Sequence, residues 1–191
     1  MDFVIEDDCN ISYIFTNSTD GMRIYVRALT LVLIKALDDL YPQARLCVDY
    51  SLGEALCCEI TGIDIVDEVV VALRNRMKEI IEQDMPIVKK QVSIDELQGI
   101  YIESGFIEKA ELIKNTQVKS LSLYYIDKTY GYFYGKMPIS TGYIKTYDLK
   151  KYEKGVILMY PNRNDLSIIK ASHMNKKLYN RDYRVHINRT L

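Results

Sequence analysis

The first candidate for a chemically active motif is a glycine-containing segment at 131–137, which reads Gly-Tyr-Phe-Tyr-Gly-Lys-Met. A phosphate-binding loop needs four residues between its glycines and a serine or threonine hydroxyl after the lysine to reach Mg²⁺. This string has one residue too few between Gly131 and Gly135, and Met137 stands where the hydroxyl is required. The bulky insert is typical of a strand. The sequence therefore argues against a nucleotide phosphate site here.

Thiols, imidazoles and hydroxyls are the other groups suited to metal binding or nucleophilic chemistry. Adjacent strand residues point to opposite faces, so Cys57 and Cys58 cannot share a tetrahedral ion, although Cys47 could face Cys58 across a hairpin. We interpret the cysteines as core thiols and the two histidines as surface or packing residues. Ser140 and Thr141 are either candidate nucleophiles or turn formers. The complete set of thiols and imidazoles is Cys9, Cys47, Cys57, Cys58, His173 and His186.

Two long helices are predicted to position these groups. Over 22–40, apolar residues recur at helical spacing, and a polar turn at 17–21 supplies N-cap residues. This first helix is apolar around most of its girth, so we expect it to be deeply packed. The second, over 64–84, carries one apolar stripe opposite charged residues and ends before Pro86.

Short β-biased runs account for much of the remaining chain. The runs at 45–51 and 55–60 predict a hairpin. Ser93 and Glu96 form a capping-box pattern that opens a short helix ending at Gly105, and another helix is expected at 106–113. Further strands are expected at 3–5, 13–15, 87–92, 121–126, 130–134 and 156–159. Helices and strands are mixed without strict alternation, which favours an α+β fold over a doubly wound α/β fold.

Composition excludes several classes of protein. Of the 191 residues, 48% are hydrophobic and 27% are charged, as in ordinary globular domains, and no apolar run approaches the ~18 residues of a transmembrane helix. The acidic start is unlike a secretory signal, and four cysteines are too few for a disulfide scaffold. We therefore predict a cytoplasmic protein without a membrane partner.

The charges are distributed unevenly along the chain. Residues 1–84 contain 16 acidic and 7 basic side chains, whereas residues 85–191 contain 10 acidic and 18 basic ones. The basic half also contains most of the 16 tyrosines, so it could attract phosphate groups or RNA. Equally, the two halves could pack on each other and compensate their charges. The sequence leaves both interpretations open.

Two stretches, residues 26–113 and 131–149, resemble the second additional domain of threonyl-tRNA synthetases, which alanyl-tRNA synthetases share. The first stretch contains a helix ending at Tyr41-Pro42, a hairpin, a second helix and the strand that follows Pro86. The second contains Tyr134-Gly135-Lys136 and the segment 138–145, which look like the later motif loop of that domain. The resemblance implies an editing-like α+β fold, with mixed strands packed on two long helices.

The motifs at 20–27 and 132–143 are closer still to the N-terminal half of bacterial uridine kinase-like nucleoside kinases. Those proteins carry a ubiquitin-like domain, this synthetase-like domain and then a P-loop kinase domain. The resemblance implies that 1–20 is a remnant of, or a linker from, an upstream domain, that 21–165 is the editing-like domain, and that the basic segment 166–191 leads to an absent kinase domain. That kinase domain would be the partner and would use ATP and Mg²⁺, so no cofactor is expected in this fragment.

The deacylating chemistry of the synthetase domain uses a His-x-x-x-His pair on its first helix and a Cys-x-x-x-His pair in the later loop. Side chains at i and i+4 of a helix project from one face and can converge on an ion or a substrate. The matching positions here are Arg27, Leu31, Phe133 and Met137. None of these side chains can act as a neutral imidazole base or a thiolate ligand. The resemblance thus implies an inherited fold without the editing chemistry.

The leading hypothesis is therefore a non-catalytic binding or regulatory domain of a nucleoside kinase-like protein. An aminoacyl-tRNA deacylase and an RNA-binding module are the alternatives. A degenerate cleft in this domain could hold a small anionic ligand, with no metal and no catalytic residue. Its candidate residues are Arg27, Leu31, Phe133, Tyr134, Lys136, Met137, Ser140, Thr141 and Lys145.

Overall fold

The first long helix lies between two antiparallel sheets in the computed structural model, which describes residues 8–103, 107–114 and 119–169. Apolar residues at helical and alternating spacing produce these elements, as the sequence predicts. In chain order they are α1 (Thr19–Leu40), β1 (Arg45–Ser51), β2 (Ala55–Thr61), α2 (Asp67–Glu82), β3 (Val88–Ser93), α3 (Ile94–Glu103), α4 (Ile107–Lys114), β4 (Ser120–Ile126), β5 (Thr129–Tyr132), a 3₁₀ turn (Thr141–Tyr143), β6 (Asp148–Tyr152) and β7 (Gly155–Met159). The α+β class is confirmed.

Helix α1 is deeply packed along its central turns. The Ser18 hydroxyl caps it by accepting a 3.0 Å hydrogen bond from the Gly21 N–H. From Ala28 to Leu33 every side chain is buried, because α2 and strands of both sheets contact the helix from different sides. The predicted deep packing is confirmed, and the helix begins three residues earlier than expected.

The larger sheet has the strand order β1-β2-β7-β6 and is antiparallel throughout. Cys58 points into the main core, whereas Cys57 belongs to a small apolar cluster on the opposite face, as expected for neighbours on a strand. The suggested pairing of Cys47 with Cys58 is wrong. Cys47 lies opposite Glu59, and Cys58 lies opposite Val48, where β1 carries a bulge.

The smaller sheet has the order β3-β4-β5 and separates two apolar clusters. On one face, Leu97 of α3 and Ile113 of α4 pack on the sheet, while Tyr124 and Ile126 on the other face join the main core. The predicted capping box is confirmed: the Glu96 carboxylate accepts from the Ser93 N–H at 2.7 Å, and the Ser93 hydroxyl accepts from the Glu96 N–H at 3.2 Å.

The structure corrects the sequence-based prediction of strands at two places. Residues 13–15 do not form a strand, and Tyr13 and Phe15 are exposed. Strand β6 is missing from the expectations because its sequence, Asp-Leu-Lys-Lys-Tyr, is largely polar and only Leu149 is fully buried. Predictions for residues 1–7, for Gly105 and for 170–191, including His173 and His186, lie outside the described residues. No helix in the described ranges is long and apolar enough to cross a membrane.

Candidate functional site

The proposed cleft lies where α1 meets the loop that follows β5. Arg27 and Leu31 are one turn apart on α1 and therefore share a face. Leu31 is fully buried. A Cβ atom added to Gly131 would lie 3.3 Å from Leu31 Cδ1 and 2.5 Å from Phe133 Cε2, so Leu31 and Phe133 come together at this glycine. Met137 is half-buried and packs against the same core as Leu31. The structure thus brings Leu31 and Phe133 together in one apolar wall.

Arg27 lies across the backbone of the loop. Its Nη1 donates a 3.3 Å hydrogen bond to the Lys136 carbonyl oxygen. Gly135 has φ of +108°, and a Cβ there would lie 2.8 Å from Arg27 Nη1 and 2.9 Å from Cζ. Glycine is needed both for this backbone conformation and for the approach of the guanidinium group. The Tyr124 hydroxyl donates to the Gly135 carbonyl and holds the loop in place.

Within the described part of the chain, no ion pair compensates the charge of Arg27. Arg23, Arg74 and Arg76 each lie within 4.0 Å of a carboxylate, whereas no carboxylate of the described residues lies that close to Arg27. Burial raises the pKa of the neighbouring Tyr124 hydroxyl, and the Arg27 charge opposes that rise. Among the described residues, the half-buried guanidinium donates a hydrogen bond only to the Lys136 carbonyl, which leaves its other N–H donors available close to the exposed residues Tyr134 and Lys136.

Thr141 and Ser140 belong to a different contact, between this loop and the end of α2. The Thr141 hydroxyl is buried; it donates to the Ile80 carbonyl at 2.8 Å and accepts from the Met85 N–H at 2.9 Å. Hydrogen bonds from Ser140 and from the Gly142 N–H hold the pKa of the Asp84 carboxyl below its ordinary value. Both hydroxyls thus fasten the loop to the protein.

Lys145 lies on the other side of α1 from Arg27. Its backbone N–H donates to the Tyr25 hydroxyl at 3.2 Å, and Tyr25 is two residues from Arg27, about 200° around the helix. The Lys145 side chain is exposed and lines an open groove of about 630 Å³ with Tyr147 and α2. The structure therefore separates Lys145 from the other basic residues of the predicted site.

The four side chains at the positions of the predicted cleft, Arg27, Leu31, Phe133 and Met137, are suited to binding a ligand. Arg27 is a permanent cation, and the other three positions are apolar. No group of three or more metal-ligating side chains occurs in the part of the chain that the structure describes. The arrangement can hold an oxyanion through guanidinium N–H groups, but it presents no imidazole, thiolate or carboxylate to accept a proton.

Sequence reasoning missed the residues that shape the cleft. Gly135 stood out only as part of a failed phosphate-loop pattern, although a glycine inside a strand-like run does indicate a close approach. The sequence predicts Tyr124 as a strand residue, but the residues next to it in the sequence do not indicate that its hydroxyl donates to the Gly135 carbonyl. Asp84, which has φ of +48° just after α2, carried no signal beyond its place at a helix end.

Comparison with known proteins places this architecture in the context of aminoacyl-tRNA synthetases. No protein-family model matches the chain. The chain is similar to threonine–tRNA ligases of Paracidovorax citrulli (26% identity), Burkholderia ambifaria (27%) and Acinetobacter baumannii (23%). Each alignment covers 150 residues and 78% of this chain. The chain spans about a quarter of the length of these relatives, between 23% and 24%.

The sequence similarity and the fold agree with each other. The described residues form a mixed α+β unit with two sheets, which agrees with the editing-like domain that the sequence resembles. The chain is thus similar, in sequence and in fold class, to a part of the threonine–tRNA ligases.

Proposed function

We propose that this chain is a non-catalytic binding or regulatory domain that retains the synthetase editing fold. The observation that carries the proposal is that the protein's own side chains fill the cleft. Arg27 lies on the Gly135 backbone, and Leu31 is buried against the wall that includes Phe133. The Arg27 side chain offers N–H donors and no acceptor, so it provides no general base.

The proposal is tested by aminoacyl-tRNA deacylation. The purified chain is mixed with seryl-tRNA, and free serine is measured over time beside a threonine–tRNA ligase as the positive control. We expect the spontaneous rate of hydrolysis, because no side chain at the cleft accepts a proton from water. Hydrolysis above that rate that disappears in Arg27→Gln would assign the chain to the editing hydrolases instead.

The larger protein that we propose is a uridine kinase-like nucleoside kinase. This context rests on the resemblance of residues 20–27 and 132–143 alone. The partner would be a kinase domain downstream in the same chain, and ATP with Mg²⁺ would bind there. The test is the coding sequence beyond Leu191: a Gly-x-x-x-x-Gly-Lys-Ser/Thr pattern supports the kinase context, and a synthetase catalytic domain contradicts it.

An RNA-binding module is the second candidate function, favoured by the exposure of aromatic and basic side chains on one loop. Tyr134 is 86% exposed and Tyr143 58%, and exposed lysines lie at 136 and 145. Exposed rings beside lysines are suited to stacking on unpaired bases. A gel shift with a single-stranded RNA tests it: Tyr134→Ala should weaken binding, while Tyr13→Ala, an equally exposed ring before α1, should not.

A further inference from the structure

We infer that Arg27, the Gly135–Lys136 backbone and the Lys136 side chain form a binding site for phosphate or a phosphate monoester. This inference rests on the proposed function, since it names the ligand class of the same cleft. Arg27 differs from the other arginines on the two long helices because no carboxylate of the described residues lies within 4.0 Å of it. Arg23 pairs with Asp20, and the two arginines of α2 pair with Asp148 and Asp39.

Arg27 is half-buried and has no such partner within the described residues. Its polar contact is the 3.3 Å hydrogen bond from Nη1 to the Lys136 carbonyl. A guanidinium group has five N–H donors in a planar fork, and a carbonyl oxygen brings no negative charge. Phosphate oxygens match this fork and supply the missing charge, which is why arginine is common at phosphate sites.

The loop is shaped to hold the guanidinium in one position. Gly135 has φ of +108° and leaves the space that a Cβ would take from the guanidinium carbon and both terminal nitrogens. The Tyr124 hydroxyl fixes the Gly135 carbonyl from the strand below. A binding group that is positioned before its ligand arrives loses little side-chain entropy on binding.

The neighbouring side chains indicate a phosphate ester rather than a buried ion. Lys136 is exposed and is joined directly to the residue on which Arg27 lies, so a second cation is available at the rim. Tyr134, on the other side of Gly135, exposes 86% of its surface. An aromatic ring beside two cations can contact the organic part of a monoester while the cations contact its phosphate.

The open groove on the far side of α1 is less suited to an anion. It also has basic residues at its edge, but Arg74 pairs with Asp148 at 3.3 Å and Lys78 with Glu82 at 3.7 Å. Asp84, a further carboxylate, lines the same groove. A ligand there would have to compete with carboxylates already in place, whereas Arg27 has no such competitor among the described residues.

The experiment is isothermal titration calorimetry of the full chain at low ionic strength, where surface charges are least screened. Inorganic phosphate and adenosine 5′-monophosphate are the probes, titrated to about 10 mM. Arg27→Gln removes the charge but keeps donors for the Lys136 carbonyl. Arg23→Gln is the matched control, because it removes an arginine from the same helix that is already paired with Asp20. Lys136→Ala, at an exposed position, is the second variant.

We expect saturable binding of phosphate to the wild-type chain. The affinity should be at least ten-fold weaker in Arg27→Gln, several-fold weaker in Lys136→Ala and changed less than two-fold in Arg23→Gln.

Comparison of the two probes identifies the ligand. Tighter binding of the monophosphate that is lost in Tyr134→Ala identifies the ester as the ligand; equal binding of both probes identifies free phosphate. Absence of saturable binding in the wild type, or equal weakening by Arg27→Gln and Arg23→Gln, overturns the inference. Neither outcome affects the non-catalytic proposal, which the deacylation assay decides separately.

Discussion

Single hydroxyl groups join segments of this protein that are far apart in the sequence. Thr141 links the loop after β5 to the end of α2, and the Tyr25 hydroxyl donates to the Thr146 carbonyl at 2.7 Å while accepting from the Thr146 N–H at 2.9 Å. Each hydroxyl satisfies backbone groups that the local chain leaves without partners. At the residue scale, the position of the loop therefore depends on a few polar atoms.

The first prediction concerns Thr141→Val. This change keeps the shape of the side chain but removes the hydroxyl from the Ile80 carbonyl and the Met85 N–H in a buried place. We expect the free energy of unfolding to fall by about 1–3 kcal/mol, because buried backbone groups lose their partner. Urea denaturation measures it. Thr61→Val, at an exposed position in β2, is the control and should change the stability by no more than ~0.5 kcal/mol.

The second prediction concerns the pH dependence that Cys58 causes. Burial raises the pKa of this thiol from 9.0 to about 12. The unfolded chain therefore releases the proton first as the pH rises, and the stability contributed by the neutral buried thiol is present below pH 9 and is lost towards pH 12. One such group gives a slope of up to about 1.4 kcal/mol per pH unit.

Urea denaturation of Cys58→Ala between pH 8 and about pH 11 checks this slope. The variant should be less stable at neutral pH because it leaves a small cavity, yet its stability should fall less steeply with pH. Thiol labelling gives an independent readout: the exposed Cys9 and Cys47 should react with a disulfide reagent in the folded protein, and Cys57 and Cys58 only after unfolding. Four equally reactive thiols, or identical slopes, would contradict the buried environment.

At the scale of elements, α1 and the loop over 133–137 determine each other's positions. The helix supplies Arg27, and the loop supplies a glycine peptide on which the guanidinium lies. Neither element produces this contact alone, because the glycine conformation at Gly135 has to meet a side chain that projects from another element. The loop is thus part of the site and not merely a connection between strands.

The third prediction compares two glycines with positive φ. In Gly53→Ala the new Cβ meets nothing within 4 Å, so the cost is that of the backbone conformation alone, about 1–2 kcal/mol. In Gly135→Ala the backbone at φ of +108° lies further from conformations open to alanine, and the Cβ would displace the Arg27 guanidinium, so we expect a larger loss of unfolding free energy and weaker phosphate binding. Urea denaturation and calorimetry measure both effects. Phosphate binding that is as tight in Gly135→Ala as in the wild type would show that Arg27 does not rest on Gly135.

At the scale of the whole described structure, an ionic cluster joins the two long helices beside the apolar core. Lys35 of α1 is only 6% exposed and its Nζ lies 2.5 Å from Asp39 Oδ1. Asp39 also accepts from Arg76 of α2, at 3.0 Å from Nε and 2.9 Å from Nη2. Removing the carboxylate charge therefore affects a buried cation and the contact between α1 and α2 at once.

The fourth prediction is that Asp39→Asn lowers the free energy of unfolding by about 2–4 kcal/mol, because a buried lysine loses its nearest counter-charge. Asp20→Asn removes the exposed partner of Arg23 and should cost no more than ~0.5 kcal/mol. Thermal and urea denaturation of both variants provide the comparison. A cost for Asp39→Asn as small as that of Asp20→Asn would mean that Lys35 finds another partner, for which Asp127 at 3.8 Å is the nearest candidate.

The sequence by itself predicts the elements that depend on local order. The spacing of apolar residues predicts both long helices, β-biased runs at 45–51 and 55–60 predict the hairpin, and Ser93 with Glu96 predicts the start of α3. Periodicity and capping act between residues a few positions apart, so they can be read from one chain. It is also visible without a structure that Arg27, Leu31, Phe133 and Met137 carry neither an imidazole nor a thiol.

Tertiary structure alone decides which distant residues meet. It brings Arg27 onto Gly135, 108 positions later, and it sends Lys145 to the opposite side of α1. It also gives Ser140 and Thr141 the role of fastening the loop to α2. These outcomes follow from how α1 is rotated between the two sheets and from the register of β4 with β5, and both are set by core packing that spacing along the chain does not encode.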